Sequence, residues 1–195
     1  IMAGLVGSEM CIRDRGRFGR RGEKRSMQPF AASSIPLVTL GTFLLWFGWF
    51  GFNGFSQLAM GTFDDVNAIS KIAVNTHLAG AAGTVTGAAL TRLIGGKTDI
   101  VMMLNGALAG LVAITAEPLT PGPITAMIIG SIGAVIMYYG TKLLENFGLD
   151  DVVGAIPVHM FAGIFGTLVV PLTNADTSFG TQLIGVISVL SLIHI

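Results

Sequence analysis

Long apolar runs recur along this chain and limit it to folds that a lipid bilayer can hold. About 20 helical residues are needed to cross a hydrocarbon core of about 30 Å. Only 11% of the residues are charged, and the mean hydropathy is +0.74. Backbone polar groups in lipid must be satisfied within the protein, so continuous apolar runs predict α-helices. The sequence therefore predicts an all-α membrane protein, built as a polytopic helix bundle.

The predicted membrane domain covers residues 35–190 and contains five complete spans and a stub. The connectors between spans are rich in Gly, Pro, Asn and Asp, which interrupt helices. The predicted spans are about 35–60, 66–94, 99–117, 124–144 and 152–172, with the stub at 181–190. Four carboxylates precede apolar runs and are expected to cap helix N-termini: Asp64, Asp65, Asp150 and Asp151.

Both ends of the chain are expected to be non-native. The stretches "SEMCIRDR" and "SLIHI" look like translated sequencing-adapter read-through, so residues 1–15 and 191–195 are set aside. The alternative is a native basic amino terminus. In either case, residues 16–34 are expected to form a basic cytoplasmic linker.

Basic residues mark one side of the bilayer. They precede the first span and flank the ends of the second and fourth spans, whereas the remaining connectors contain no Lys or Arg. By the positive-inside rule, the segment before residue 35 is cytoplasmic and the first span runs from inside to outside. Lys71 is the exception, because it lies near the outer end of the second span, where its stem can snorkel.

Composition and motifs exclude several function classes. The formal net charge is zero, so nothing suggests a nucleic-acid partner. The single cysteine, Cys11, excludes an intramolecular disulfide and a cysteine-based metal cluster. There is no nucleophile with a base nearby in sequence, no metal-ligand cluster and no phosphate loop. We therefore expect neither an enzyme nor a cofactor.

Small residues recur at helical spacing in four of the spans. Because such residues let helix backbones approach closely, they predict packing faces in a compact bundle. The pattern consists of Gly80, Gly83 and Gly87, then Gly106 and Gly110, then Gly130 and Gly133, and finally Gly163 and Gly166.

The first span has a face with aromatic and polar side chains. In "LWFGWFGFNGFS", Trp49, Phe52, Asn53 and Ser56 follow at i, i+3, i+4 and i+7 and share one side of a helix. Aromatic rings beside a hydroxyl can hold a small cation through cation–π attraction of about 0.5–2 kcal/mol and a hydrogen bond. The other interpretation is an interfacial aromatic belt.

One histidine interrupts the apolar run "VGAIPVHMFAGIFG" in the fifth span. Ionisable residues inside a membrane are rare and usually functional, so we predict a functional role for His159. Gly163 and Gly166, at i+4 and i+7, would leave room beside it for another helix or a narrow lumen. The alternative is a buried histidine bonded to a backbone carbonyl. His77, beside Asn75 and Thr76, is expected to be structural.

Three motifs together resemble the second half of the proteins in the ammonium transporter family. They are "GWFGFN" followed by Ser56, "NGALAGLVAIT" and "DDVVGAIPVH", in this order and spacing, and the resemblance covers Gly16 to Leu190. It implies an eleven-helix protomer in a homotrimer, in which two five-helix inverted repeats enclose a pore. This chain would contain the second repeat and a stub of the last helix.

The resemblance also implies roles for single residues. Phe52 would belong to the outer gate and Ser56 to the outer ammonium site. Because Trp49 and Asn53 share their helix face, we expect these two residues to belong to the same outer vestibule. His159 would be one of two pore histidines, and its partner would lie in the missing first half. The family usually has a small residue before the serine, where this chain has Phe55.

The implied function is ammonium transport across the plasma or inner cell membrane. The channel would select the cation at the outer vestibule and conduct the neutral amine past paired histidines. The implied partners are ammonium or ammonia, the lipid bilayer and a PII-type signalling protein at the cytoplasmic face. The alternatives are a membrane ammonium sensor on the same fold and a nonfunctional gene fragment.

Overall fold

The described residues, 34–149 and 151–193 of a computed structural model, form only helices and connecting turns. The predictions for residues 1–15 and most of the basic linker, for Asp150 and for the last two residues lie outside this part of the chain. The helices are α1 (Ile35–Phe55), α2 (Phe63–Gly95), α3 (Ile100–Thr115), α4 (Pro123–Asn146), a π-helical turn (Ile156–Phe161) that continues into α5 (Ala162–Thr173), and α6 (Phe179–Ile193).

Three helical segments are long and apolar enough to cross a membrane: Ile35–Phe55, Pro123–Asn146 and Ile156–Thr173. Helices α3 and α6 are shorter but also apolar. Helix α2 has 33 residues, or about 50 Å of helix, and carries more polar side chains. The predicted all-α membrane helix bundle is confirmed.

Helix ends follow local capping chemistry. Thr62 caps α2 by accepting the backbone N–H of Asp65, and the Asp65 carboxylate accepts the backbone N–H of Thr62. This reciprocal pair is a capping box. Helix α1 ends at Phe55 rather than near residue 60, because Leu58 adopts a left-handed backbone conformation with φ of 59°.

The centre of the bundle is a contact between helix backbones. A Cβ on Gly83 of α2 would overlap the carbonyl oxygen of Gly106 in α3. A Cβ on Gly110 of α3, or on Gly130 of α4, would overlap the carbonyl oxygen of Ala79 in α2. These three helices therefore meet where only small residues fit, and the predicted packing faces are confirmed there.

Two amide side chains bridge separate parts of this centre. The Asn53 amide nitrogen of α1 donates to the Thr76 hydroxyl of α2 at 3.0 Å. The Asn75 amide nitrogen donates to two carbonyl oxygens of the α3–α4 connector, those of Pro118 at 2.9 Å and Pro121 at 2.8 Å. Asn53, Asn75 and Thr76 are all buried, so Asn75 and Thr76 of α2 face the bundle.

Helix α1, in contrast, packs weakly on the described residues. Its buried residues are Thr42, Asn53 and Gly54, and its leucine and phenylalanine side chains are largely exposed. In a membrane protein such a surface contacts lipid or another protein segment.

We predict that Gly83→Ala destabilises the bundle, because its methyl group would meet the Gly106 backbone. The expected loss is about 1–3 kcal/mol. The matched control is Gly41→Ala in α1, where an added Cβ has no neighbour within 4 Å. That change should be neutral or stabilising by up to about 1 kcal/mol, because alanine favours helix. Thermal unfolding in detergent would measure both, and equal stability of the two variants would contradict the packing described here.

Candidate functional site

Trp49 is fixed against α3 by a hydrogen bond. Its indole N–H donates to the Thr115 hydroxyl at 2.7 Å, and that hydroxyl donates to the carbonyl of Leu111 at 2.6 Å. The Trp49 and Phe52 rings lie with centroids 6.0 Å apart and planes tilted by 53°. The indole therefore forms a fixed, half-buried wall beside the more exposed Phe52 ring.

Phe52 and Ser56 are both accessible at the end of α1. The Phe52 side chain is 67% exposed. The Ser56 hydroxyl donates to the Phe52 carbonyl at 3.1 Å, which occupies its hydrogen. Its oxygen lone pairs remain able to accept a hydrogen bond from a cation. This pair presents an aromatic ring and an acceptor oxygen on one exposed surface.

Asn53 has a different environment from its neighbours on the predicted face. It is 1% exposed and donates to Thr76, and its side-chain oxygen Oδ1 accepts no hydrogen bond within the described residues. Residues at i, i+3, i+4 and i+7 span an arc of about 100°, given 3.6 residues per turn. One edge of this arc, at Asn53, faces α2, and the other edge, at Phe52, is exposed.

Phe55, the residue that departs from the family pattern, points away from the bundle. Its side chain is 79% exposed, and its ring lies 3.4 Å from the position that a Cβ on Gly51 would take. Leu58 follows in the left-handed region and is 92% exposed. A non-glycine residue pays about 1–2 kcal/mol in this conformation. The strained turn directs the chain from Ser56 toward α2.

The turn after Ser56 ends in a carboxylate network. The Asp65 carboxylate accepts hydrogen bonds from the Thr62 hydroxyl at 2.7 Å and from the Gln57 amide at 3.2 Å. These bonds, the Thr62 hydroxyl first, lower the pKa of Asp65 below its usual value. The predicted position of Asp65 in the first turn of α2 is confirmed. The roles of Thr62 and Gln57 were not predicted from the sequence.

His159 lies in the π-helical turn that begins the fifth span. The backbone N–H of Ala162 donates to the carbonyl of Pro157, five residues earlier, which is the hydrogen-bond spacing of a π-helix. Pro157 and Val158 are buried, whereas His159 is exposed. The turn therefore presents the imidazole away from the packed side of the helix.

The glycines that follow His159 contact α3. A Cβ on Gly166 would overlap the Ala113 carbonyl oxygen, and one on Gly163 would lie 3.6 Å from Val112. Room for another helix or for a narrow lumen was expected beside these glycines, and the structure shows another helix, α3. The wide turn changes the angular spacing, so the exposed imidazole does not share the buried side of Gly166.

Asp151 holds the start of the His159 segment. Its two carboxylate oxygens accept the backbone N–H groups of Ala155 at 2.9 Å and Ile156 at 2.7 Å. The predicted capping role of Asp151 is confirmed. The Asn105 amide of α3 adds a bond to the Val153 carbonyl at 3.1 Å, which the sequence did not indicate.

Helix α3 is the common support of both candidate regions. Within the described ranges, α1 and the π-helical turn do not contact each other, and both pack on α3. Thr115 holds Trp49 at the C-terminal end of α3, and Asn105, in the second turn of α3, holds the His159 segment. The separation of ten positions corresponds to about 15 Å along the helix axis.

Comparison with known sequences gives a consistent result. The sequence profile of the Ammonium Transporter Family matches residues 2–190. Ammonium transporter Amt2 of Archaeoglobus fulgidus is 45% identical over 164 residues, which are 84% of this chain and 34% of the relative. Ammonium transporter Amt1 of Haloferax mediterranei is 33% identical over 191 residues, 94% of this chain and 36% of the relative. The chain thus spans about a third of the length of these curated relatives.

The fold is also similar to those of solved structures. A protein described as a sensor Amt protein superposes with a TM-score of 0.77 at 33% identity, over 84% of this chain and 42% of that chain. Mep2 of Candida albicans superposes with a TM-score of 0.76 at 28% identity, over 85% of this chain and 40% of that chain.

We predict that Asp151→Ala loosens the start of the π-helical turn, because two backbone N–H groups lose their acceptor. The expected loss of stability is about 0.5–2 kcal/mol. Hydrogen exchange at Ala155 and Ile156 should become faster. Asp176→Ala is the control, since Asp176 is exposed and its carboxylate accepts no hydrogen bond from the described residues. Unchanged exchange at both amides in Asp151→Ala would show that the cap is dispensable.

We predict that the Asp65 network stabilises the protein in a pH-dependent manner. The folded-state pKa of Asp65 is lowered, so this stabilisation is complete above the unfolded-state pKa and disappears as the pH falls through the folded-state pKa. The melting temperature of Asp65→Asn should therefore lie below that of the parent near neutral pH. The difference should shrink as the pH falls below 3.8, the usual pKa of an aspartate.

Thr62→Val tests the cause of this shift. Removal of the main hydroxyl donor should move the folded-state pKa of Asp65 back toward its usual value. The pH-dependent stabilisation should therefore become smaller, and its loss on acidification should be complete at a higher pH. A gap between the parent and Asp65→Asn that stays constant with pH would contradict the assignment.

Proposed function

Because this chain belongs to the ammonium transporter family, we propose that it forms the second half of an ammonium channel. The complete channel would select the ammonium cation at an outer vestibule and conduct the neutral amine past a pair of pore histidines. The observation that carries this proposal is the exposed His159, which a capped π-helical turn presents away from the packed side of an apolar helix.

The exposed end of α1 suits the first step. Ammonium arrives mainly as the cation near neutral pH, as an alkylammonium with a pKa near 10.4 would. Phe52 offers an aromatic face, Trp49 a fixed ring behind it, and Ser56 an acceptor oxygen. Cation–π attraction and one hydrogen bond are the interactions expected to hold a small cation there. Asn53 takes part by fastening α1 to α2, so that this surface keeps its shape.

Beyond the gate, the free-energy cost of desolvation differs between the ammonium cation and the neutral amine. Moving an ion into a dry channel costs up to tens of kcal/mol by Born estimates, whereas a neutral amine costs only a few. The lumen therefore favours ammonia, and the ammonium ion would transfer its proton to water of the outer vestibule near Phe52. A neutral imidazole can donate and accept hydrogen bonds, which matches a molecule that does both. His159 is proposed to bind the neutral amine in this way.

The rest of the pore is proposed to come from outside this chain. A second histidine and a second gate ring would belong to the first five-helix repeat of an eleven-helix protomer. The exposed apolar surface of α1 supports this, since it requires a cover of lipid or protein. We further propose a homotrimer in the cell membrane, with the segment before residue 35 in the cytoplasm and a PII-type protein docking on that side.

A second candidate function is ammonium sensing on the same fold. It is favoured by the superposition on a protein described as a sensor Amt protein, at a TM-score of 0.77. A sensor would bind ammonium at the same vestibule and relay occupancy to a signalling region. Uptake would then be dispensable, whereas binding at Phe52 and Ser56 would not.

We predict that His159→Ala in the complete protein that carries this chain abolishes most methylammonium uptake, because the neutral amine loses its hydrogen-bond partner. Radiolabelled uptake in cells lacking other ammonium transporters would measure it. His77→Ala is the matched control. His77 is also exposed within a helix, but it packs on Trp46 and Phe50 with centroids 5.5 and 6.2 Å away.

Uptake should persist in His77→Ala at equal protein level in the membrane. Full uptake by His159→Ala would exclude the proposed pore role. Absence of uptake in the parent, combined with ammonium binding, would favour the sensor.

A further inference from the structure

A carboxylate just after α3 connects two loops at one end of the bundle. The Oε1 atom of Glu117 accepts the backbone N–H groups of Leu119 at 3.2 Å and Thr120 at 3.3 Å, in the α3–α4 connector. Its other oxygen, Oε2, accepts the side-chain amide of Asn174 at 3.1 Å, 57 positions along the chain. Asn174 directly follows the helix that carries His159. We refer to the bond between Glu117 and Asn174 as the Glu117–Asn174 clamp.

The other bonds of Asn174 fix the direction of this clamp. Its side-chain oxygen Oδ1 accepts the backbone N–H of Asp176 at 2.9 Å, which leaves the amide nitrogen for the carboxylate. Its backbone N–H donates to the Val170 carbonyl at 2.9 Å, and its backbone carbonyl accepts the Thr177 hydroxyl at 3.2 Å. Glu117 and Asn174 are both half-buried. A hydrogen bond to a carboxylate in such a place is stronger than one between neutral groups in water.

The clamp is the second polar attachment of the His159 helix, Ile156–Thr173, to α3. The first lies before this helix, where Asn105 donates to the Val153 carbonyl. Between the two attachments the helices meet through small residues, as at Gly166. Such contacts set how closely two helices approach, but the hydrophobic effect is not directional. Hydrogen bonds are directional, so the two attachments determine how the His159 helix is rotated about its axis.

The rotation of this helix determines where the imidazole points. Asn174 lies about 20 Å from His159 along the helix axis, so the clamp acts through the helix and not by contact. The attachment at Val153 restrains rotation weakly, because Gly154 follows it with a φ of 73° and glycine has a permissive backbone. Successive turns of a helix are hydrogen-bonded to each other, so a rotation at one end is passed to the other.

We propose that Glu117 and Asn174 are positioning residues that keep the His159 imidazole directed into the conduction path. The clamp fixes the rotation of the His159 helix against α3, and α3 also holds Trp49 through Thr115. The aromatic wall and the imidazole therefore share one reference helix. This inference rests on the proposed transport function and deepens it, since neither residue of the clamp is assigned a contact with the substrate.

The test measures the kinetics of methylammonium uptake by the complete protein that carries this chain, per amount of protein in the membrane. Glu117→Gln keeps an acceptor for the α3–α4 connector but turns an N–H donor toward the Asn174 amide. The maximal rate should fall about tenfold, the effect of one hydrogen bond to a charged group. The half-saturating concentration should change by less than about twofold, because the residues proposed to hold the cation are unaltered.

Reversal of the clamp distinguishes positioning from a loss of folding. Asn174→Asp alone should also lower the maximal rate, since two carboxylates would then face each other. In the double variant Glu117→Gln/Asn174→Asp, the introduced amide donates to the introduced carboxylate. The second oxygen of that carboxylate still accepts the Asp176 N–H. The maximal rate should return to within about twofold of the parent, because the bond is restored in the opposite direction. A role in folding alone would lower the amount of protein in the membrane and leave the rate per protein unchanged.

Asp176→Asn is the matched control for charge. Asp176 is exposed on the same connector as Asn174, and only its backbone N–H belongs to the network. This variant loses the same charge as Glu117→Gln and should take up methylammonium like the parent. Equal loss in Asp176→Asn and Glu117→Gln would assign the effect to surface charge and would overturn the proposal.

His159→Ala in the same assay separates this inference from the proposed function. Loss of uptake in His159→Ala together with a full maximal rate in Glu117→Gln would overturn the clamp alone. Full uptake by His159→Ala would overturn the proposed function, and the inference with it. If Asn174→Asp alone does not reach the membrane, the double variant decides. A double variant that reaches the membrane and is no faster than Glu117→Gln would overturn the clamp.

Discussion

The close approach of the α2, α3 and α4 backbones is the constraint on which the rest of the structure depends. Lipid supplies no hydrophobic drive between helices, so their association relies on contact and on hydrogen bonds. The Ala79 carbonyl lies where side chains on Gly110 or Gly130 would stand. This contact fixes α3, and α3 in turn fixes Trp49 through Thr115 and the His159 segment through Asn105. The distance between the two candidate regions is therefore set by glycines that contact neither region.

Much of the fold could be predicted from hydropathy, because the length of an apolar run is a direct physical requirement of the bilayer. Helix α2 shows where this measure is weak. Asn75 and Thr76 lower its hydropathy, yet both are buried and hydrogen-bonded within the bundle. Hydropathy counts a polar side chain as a cost whether or not it finds a partner. The early end of α1 could also not be predicted, because leucine rarely adopts a left-handed conformation and no neighbouring residue indicates it at Leu58.

The candidate site was partly predictable for a similar reason. His159 stands out because an imidazole in an apolar run has few structural explanations. The side on which the imidazole points depends on the π-helical turn. A regular α-helix with 3.6 residues per turn would place it on the same face as Gly166. Spacing likewise grouped Asn53 with Phe52, but only the packing of α2 determines which edge of that arc is buried. Thr115 and Asn105 act through single long-range bonds, which leave no periodic pattern.

The wide turn at Ile156–Phe161 also affects how this segment can change over evolutionary time. A π-helical turn accommodates one residue more than the α-helix around it. Loss of Met160 or Phe161 could therefore be absorbed as an ordinary turn, while Gly166 keeps its contact with α3. The imidazole would swing around the helix axis without any rearrangement of the bundle. An insertion or deletion at this point would therefore change the direction of the His159 side chain while the bundle stays the same.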